Sequence, residues 1–269
     1  MDRAVNGPRI LVVANQKGGV GKTTTAINLG TALAAVGAPT LVVDIDPQGN
    51  ASTGLGISHT QRKLTTYEVL MGGATIADAV TPTKIPGLSI LPSTVDLSGA
   101  ELELIDLPRR NFRLKDAFTD FQRSPSQPFS YVLIDCPPSL TLLTVNAMAA
   151  ADAVVVPLQC EFFALEGLSQ LLKTIERVRA NLNPALEIQG IVLTMFDKRN
   201  KLSDQVAADV RSHMGDKVYK TVIPRNVRIS EAPSHGLPAL VYDLRCPGSQ
   251  AYIKLAGEMI QREKLRAAA

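Results

Sequence analysis

An α/β fold is predicted, with a mainly parallel twisted sheet and helices on both faces, carried by residues 1–269 as a single domain. Three observations predict it. Short aliphatic runs at residues 10–14, Thr40–Asp44, Tyr131–Asp135 and 153–157 read as buried strands and are separated by helix-compatible stretches. A glycine-rich loop joins the first strand to the helix that follows it, and the second strand begins soon after. That order makes a right-handed parallel unit. Hydrophobic residues make up 45% of the chain, but aromatics only 4% and Trp is absent, so Val, Ile, Leu and Ala must fill the core.

The loop is Lys17-Gly18-Gly19-Val20-Gly21-Lys22-Thr23-Thr24. Strand, glycine loop and helix form the context of a phosphate-binding loop: backbone N–H groups turn inward on one anion and the helix adds its positive end. Lys22 is then the cation for the β- and γ-phosphates, and Thr23 offers a hydroxyl to Mg²⁺. The pattern departs from G-x-x-x-x-G-K-[ST], since Gln16 stands at the first glycine and Lys17 is an extra cation inside the loop. A dinucleotide fingerprint fits worse, because Thr24 occupies the place of its third glycine.

Two more stretches leave strand ends. Asp44-Ile45-Asp46-Pro47-Gln48-Gly49-Asn50 places two carboxylates beside the loop, where they read as metal and water chemistry. A plain acidic turn and a ribose-binding aspartate are the rival readings. Tyr131–Asp135 is an apolar strand ending in a carboxylate, the arrangement that holds Mg²⁺ directly or through water, and Pro137 and Pro138 stiffen the turn after it. Cys136 reads as a small buried residue.

Elsewhere, strands are expected at 87–92, 188–194 and 218–223. Helices are expected at 65–71, 76–80, 98–105, 112–121, 139–151, 166–181, 203–214 and 249–264. Residues 52–58 read as a mobile glycine- and serine-rich loop, and 124–128 as a surface linker. The last helix reads as docked on the protein's own sheet, with a membrane-surface helix as the alternative.

Net charge is +3, but residues 198–269 hold 13 Lys/Arg against 7 Asp/Glu, while residues 1–197 are net acidic. A basic C-terminal third points to a polyanion, and a solvated surface is the alternative. Within it, Arg199 and Arg228 hang from segments at the ligand edge. Three scattered cysteines suit neither a disulfide framework nor a zinc site. The apolar run after Arg3 and Arg9 is too short for a signal peptide, and no window approaches a membrane span, so a cytosolic protein is expected.

The loop K-G-G-V-G-K-T-T resembles the deviant Walker A box of the ParA/MinD family of dimeric P-loop ATPases. D-I-D-P-Q-G-N-A-S-T-G-L-G, L-I-D-C-P-P-S-L and T-V-I-P-R-N-V-R-I-S-E-A-P-S-H-G bring the chain closest to the ParA/Soj partition branch, from residue 10 to about 242. The resemblance implies ATP and Mg²⁺ as cofactors and an ATP-dependent homodimer in which Lys17 reaches the partner's nucleotide. It implies that Asp46 orients the attacking water, that Asp44 supports the Mg²⁺ site, that Met195 and Pro224 flank adenine, and that Asn226 reads it. Nonspecific double-stranded DNA, bound through Arg199 and Arg228, and a ParB-like centromere-binding activator are the implied partners. The implied place is the cytoplasm, on the nucleoid, with no membrane partner. A MinD-like membrane-cycling ATPase is the alternative. The related nitrogenase iron protein carries a cluster cysteine where this chain has Pro138, which disfavours an electron-transfer role.

Overall fold

The structure, a computed structural model, describes residues 7–123 and 129–267; Arg3, the linker expected at 124–128 and the last two alanines lie outside the described residues. β1 (Arg9–Val13) runs through the glycine loop into α1 (Lys22–Ala35) and returns as β2 (Thr40–Asp44). Then come α2 (Asn50–Gly54), α3 (Thr66–Met71), α4 (Ile76–Ala79), β3 (Thr81–Pro82), β4 (Leu88–Leu91), α5 (Leu97–Leu104) and α6 (Arg113–Gln122). Strand and helix alternate again through β5 (Tyr131–Asp135), α7 (Leu142–Ala150), β6 (Ala153–Gln159), α8 (Ala164–Asn181), β7 (Glu187–Thr194) and α9 (Lys201–Met214). The short α10 (Val227–Glu231) and α11 (Ala239–Tyr242) precede the long α12 (Pro247–Ala267).

The strand order is β3-β4-β2-β5-β1-β6-β7, and every pairing is parallel except the two-residue β3 against β4. β1 lies between β5 and β6, and the chain leaves it toward β2 on one side and later builds β6 and β7 on the other. The loop after β1 therefore stands at the point where the winding reverses, the place where open parallel sheets bind ligands.

Burial on both faces explains why the strands are continuous apolar runs. Along β1, Ile10 and Val12 face the core shared with α5 to α9, while Leu11 and Val13 face the core under α1 and α12. Each such side chain contributes about 1.5–3 kcal/mol on burial. α8 buries Leu168, Leu171, Ile175 and Val178, as its 3.6-residue period predicts. α12 packs Tyr252, Leu255, Ala256 and Met259 into the core beside α1, and the Tyr252 hydroxyl meets Thr25 Oγ1 at 3.2 Å. This helix is docked.

Three expectations change. Residues 218–223 do not form a strand: Val218 and Pro224 make isolated bridges, and the N–H groups of Lys220 and Thr221 donate to the Glu258 carboxylate on α12. Residues 52–58 are not a loose loop, because 50–54 are helical and Ser52 is fully buried. The short antiparallel β3 was not foreseen in the sequence, where Thr81-Pro82 carries no strand signal.

Candidate functional site

The glycine loop runs between β1 and the start of α1, the strand–loop–helix order expected from the sequence. Gly19 and Gly21 have φ of 74° and 89°, the left-handed region that a side chain disfavours, and Gly21 is the N-cap of α1. No atom lies within 4 Å of where a Cβ would stand on Gly18 or Gly19. Asn15 braces the loop's entry: its Nδ2 donates to Pro157 O at 2.7 Å, and its Oδ1 accepts from the Lys17 N–H at 3.0 Å. Thr194 Oγ1 donates to Val20 O at 2.8 Å and ties the end of β7 to the loop.

Lys22 is 7% exposed and its Nζ donates to Lys17 O at 2.9 Å. Burial pulls this ammonium below its ordinary value, against the nearby carboxyl groups of Asp135 and Asp46. Thr23 and Thr24 follow in the first turn of α1, and Thr24 O accepts from Asn28 Nδ2. Lys17 points elsewhere: its ammonium pairs with Glu161, just past β6, on a partly exposed surface. A pair of that kind contributes about 0–1 kcal/mol, so it yields readily to a stronger partner.

Register brings the acidic residues together. Asp44 ends β2 directly beside Asp135, which ends β5, and Asp135 in turn pairs with Val13 of β1 at the loop's base. Asp135 is completely buried, and neither carboxylate oxygen has a hydrogen-bond partner among the described residues. Burial and then the Asp44 charge push this carboxyl well above the usual carboxylate range, while Thr23 and Lys22 pull the other way. A buried, unpartnered carboxylate next to a threonine hydroxyl and a second carboxylate is the donor set of a hard divalent cation. The residues present fit Mg²⁺.

Asp44 differs. Its Oδ2 accepts from the Ser52 N–H at 2.8 Å and from Ser52 Oγ at 2.7 Å, and its Oδ1 accepts from the Asp46 N–H at 3.2 Å. It braces the following turn as well as facing Asp135. Asp46 is nearly buried, with Oδ1 accepting from the Gln48 N–H at 2.9 Å. Cys136 is buried and its thiol is pushed up by burial, which makes it an inert packing residue.

Pro224 and Asn226 line a cavity of about 830 Å³ whose other walls include Phe196, Val222 and Val227. The lining is mixed: Phe196, Pro224 and Val227 offer apolar surface to a planar base, Lys198, Arg199, Arg225 and Lys254 add cations, and Met195 is not part of it. Asn226 Oδ1 is occupied as the N-cap acceptor of the Arg228 N–H at 2.9 Å, so its Nδ2 is the group left to read a ligand edge. Met195 has φ of 50°, unusual for a non-glycine residue, and its Cε lies 4.0 Å from where a Cβ on Gly21 would stand.

Both arginines singled out for their charge are engaged with acidic neighbours. Arg199, 89% exposed, pairs with Asp197 at 2.9 Å; Arg228, 54% exposed, pairs with Glu231 at 3.0 Å and approaches Asp243 at 3.7 Å. The Arg199 pair is bidentate, Nε to Oδ1 at 3.0 Å and Nη2 to Oδ2 at 2.9 Å, so each arginine has to leave an acidic partner before it can meet another anion. Glu161, Ser52, Ser93 and Arg62 were missed from the sequence. Their partners lie up to 144 residues away, and no local pattern announces them.

Among the described residues no helix is long and apolar enough to cross a membrane. A family model described as an AAA domain matches residues 8–188. The chromosome partitioning protein ParA of Caulobacter vibrioides is 66% identical over 265 residues, covering 98% of both chains. The sporulation initiation inhibitor protein Soj of Bacillus subtilis is 51% identical over 251 residues, 93% of this chain and 98% of that one. Among solved structures, cobyrinic acid a,c-diamide synthase from Mycobacterium smegmatis, with bound ATP analog and magnesium, superposes with a TM-score of 0.82 at 36% identity over 96% of each chain. The cell division ATPase MinD of Pyrococcus furiosus gives a TM-score of 0.77 at 28% identity over 94% of this chain and 98% of its own. The glycine loop with two lysines, the paired strand-end carboxylates and a partition protein 66% identical along nearly the whole chain place it together: this chain belongs to the ParA/Soj family of P-loop partition ATPases.

Proposed function

We propose that this chain is a single-domain ATPase that dimerises on ATP, binds DNA nonspecifically as the dimer, and is reset by hydrolysis to ADP and phosphate. The observation that carries the reading is Asp135, fully buried without a partner beside Asp44 and beneath a glycine loop bearing Lys17 and Lys22. Thr23 and Asp135, with Asp44 in support, would hold Mg²⁺, which when bound neutralises charge on the β- and γ-phosphates. Residues 18–24 cradle the phosphates, and Lys22 contributes its charge from within the same chain. Met195 and Pro224 flank adenine while Asn226 reads its edge. Asp46 orients the attacking water.

Lys17 is surplus to its own site, so it serves a partner's. Release from Glu161 is the local event that allows it to reach across a homodimer. Arg199 and Arg228 lie on segments next to the base cavity, and doubling them in a dimer supplies about four phosphate contacts. DNA binding then follows nucleotide state without contact between DNA and nucleotide. A ParB-like centromere-binding activator is the expected stimulus for hydrolysis, and the place of action is the cytoplasm, on the nucleoid. Support comes from curated partition proteins at 66% and 51% identity.

The test is co-sedimentation with plasmid DNA and, separately, with anionic vesicles, each with ATP, ADP or no nucleotide. ATP-dependent DNA binding without vesicle binding is expected. Equal DNA binding in all three states refutes the reading, and ATP-dependent vesicle binding replaces it with the membrane-cycling one.

A further inference from the structure

Arg62 is 6% exposed, yet no carboxylate touches its guanidinium among the described residues. Every bond it makes goes to a neutral oxygen. Nε and Nη2 donate to Ile57 O at 3.2 and 2.9 Å, Nη1 to Ser93 O at 3.0 Å, and Nη2 to Thr53 Oγ1 at 2.8 Å. Burying a guanidinium this way is costly, and the planar fork is used to join three separate segments.

Those segments surround the turn that carries Asp46. Ser93 Oγ donates to Asp46 O at 2.8 Å, and the Ser93 N–H donates to Ser52 Oγ at 3.0 Å; Ser52 Oγ in turn donates to Asp44 Oδ2. Thr53 Oγ1 donates to Gly49 O at 3.1 Å. A Cβ on Gly49 would lie 2.5 Å from Arg62 Nη1 and 2.9 Å from Ser93 O, so the turn rests directly on the guanidinium. Asp46 is thereby held at its carbonyl by Ser93, at its N–H by Asp44 and at its carboxylate by Gln48.

We propose that Arg62 and Ser93 are positioning residues for Asp46, setting the height of its carboxylate above the phosphate loop. The inference rests on the reading of Asp46 as the water-orienting residue. Alignment of a reacting water tolerates little displacement, so the loss of one anchor reduces turnover more than binding.

The experiment is single-turnover ATP hydrolysis, with ATP affinity and dimer fraction measured alongside, for Ser93→Ala, Asp46→Ala and the double variant. Ser93→Ala is expected to lose about tenfold in rate with ATP affinity and dimerisation unchanged. In the Asp46→Ala background the same substitution should have no further effect on rate. Thr53→Val, at an exposed position, removes one acceptor of Arg62 and one bond to the turn; it should lower the rate in the same direction without affecting folding. Wild-type turnover in both Ser93→Ala and Thr53→Val overturns the inference, as does a second tenfold loss in the double variant. Wild-type turnover in Asp46→Ala overturns the reading of Asp46 itself, and the inference falls with it.

Discussion

Replacing Asp135 by Asn should stabilise the nucleotide-free protein while abolishing its response to magnesium nucleotide. Asn preserves shape and removes a charge that is 0% exposed and unpartnered at both oxygens. A buried polar group left unsatisfied costs about 1–3 kcal/mol, and more when charged; the Asn amide keeps the first cost, so the gain is the extra cost of the charge alone. Lys22 loses a favourable charge in the variant, which offsets part of the gain, but burial outweighs that charge at Asp135. A net gain of about 2 kcal/mol corresponds to about 4–8 °C in Tm. The pH dependence has a definite sign. A carboxyl whose folded pKa lies above its unfolded value of about 3.9 favours folding only while protonated. Wild type therefore loses the Asp135 contribution as pH rises from about 4 through the raised folded value, whereas the variant keeps only the loss due to Asp44, raised by burial to about 6 and common to both. The Tm difference should be largest near pH 8 and vanish near pH 4. With magnesium and ATP at about 100 Kd, wild type should gain about 2.7 kcal/mol and overtake the variant. Scanning calorimetry at pH 5, 6.5 and 8, with and without MgATP, reads all of this. A variant less stable than wild type at pH 8 without ligand would refute the assignment of Asp135 as a strained, metal-ready carboxylate.

Lys22→Ala should abolish ATP binding by titration calorimetry, because the β/γ-phosphates lose the buried cation of the site; retained affinity would sink the loop assignment. Asp46→Ala should bind ATP and accumulate as dimer in gel filtration, yet hydrolyse poorly, and a monomer under those conditions counts against a purely hydrolytic role. Lys17→Ala should bind ATP but fail to close the dimer, with turnover reduced by ~10³–10⁵ if the lysine acts as cations supplied in trans do. Arg199→Glu or Arg228→Glu should lose ATP-dependent DNA binding but keep dimerisation. In wild type, the logarithm of DNA affinity should fall with log salt at a slope of about −3.6 for four phosphates.

Much of the nucleotide site is local in sequence, and that part was legible. Gly19, Gly21, Lys22 and Thr23 lie within five residues, and the strands ending in Asp44 and Asp135 are buried on both faces, so their apolar runs stand out. The ladder pairing Asp44 with Asp135 follows from β1, β2 and β5 being parallel neighbours. What was illegible depends on distant partners. Ser52 looked like part of a flexible loop because nothing nearby reveals that its hydroxyl serves Asp44 and its oxygen receives Ser93, 41 residues on. Residues 218–223 have strand composition, but Glu258 on α12 takes two of the amides a ladder would need. Arg199 and Arg228 stood out by charge, by their place at the ligand edge and by the resemblance, and the rival reading, pairing with acidic neighbours, is what Asp197 and Glu231 show two or three residues away. Composition reports a field, whereas pairing is decided by side-chain reach.

The most direct measurement is sedimentation velocity of a fluorescent 24-base-pair duplex mixed with wild-type protein and with Asp46→Ala, in ATP, ADP or no nucleotide. The duplex should shift only with ATP, in increments of two chains, and the shift should persist longest in Asp46→Ala. Binding in increments of one chain, or an equal shift without nucleotide, would contradict an ATP-assembled dimer as the DNA-binding form.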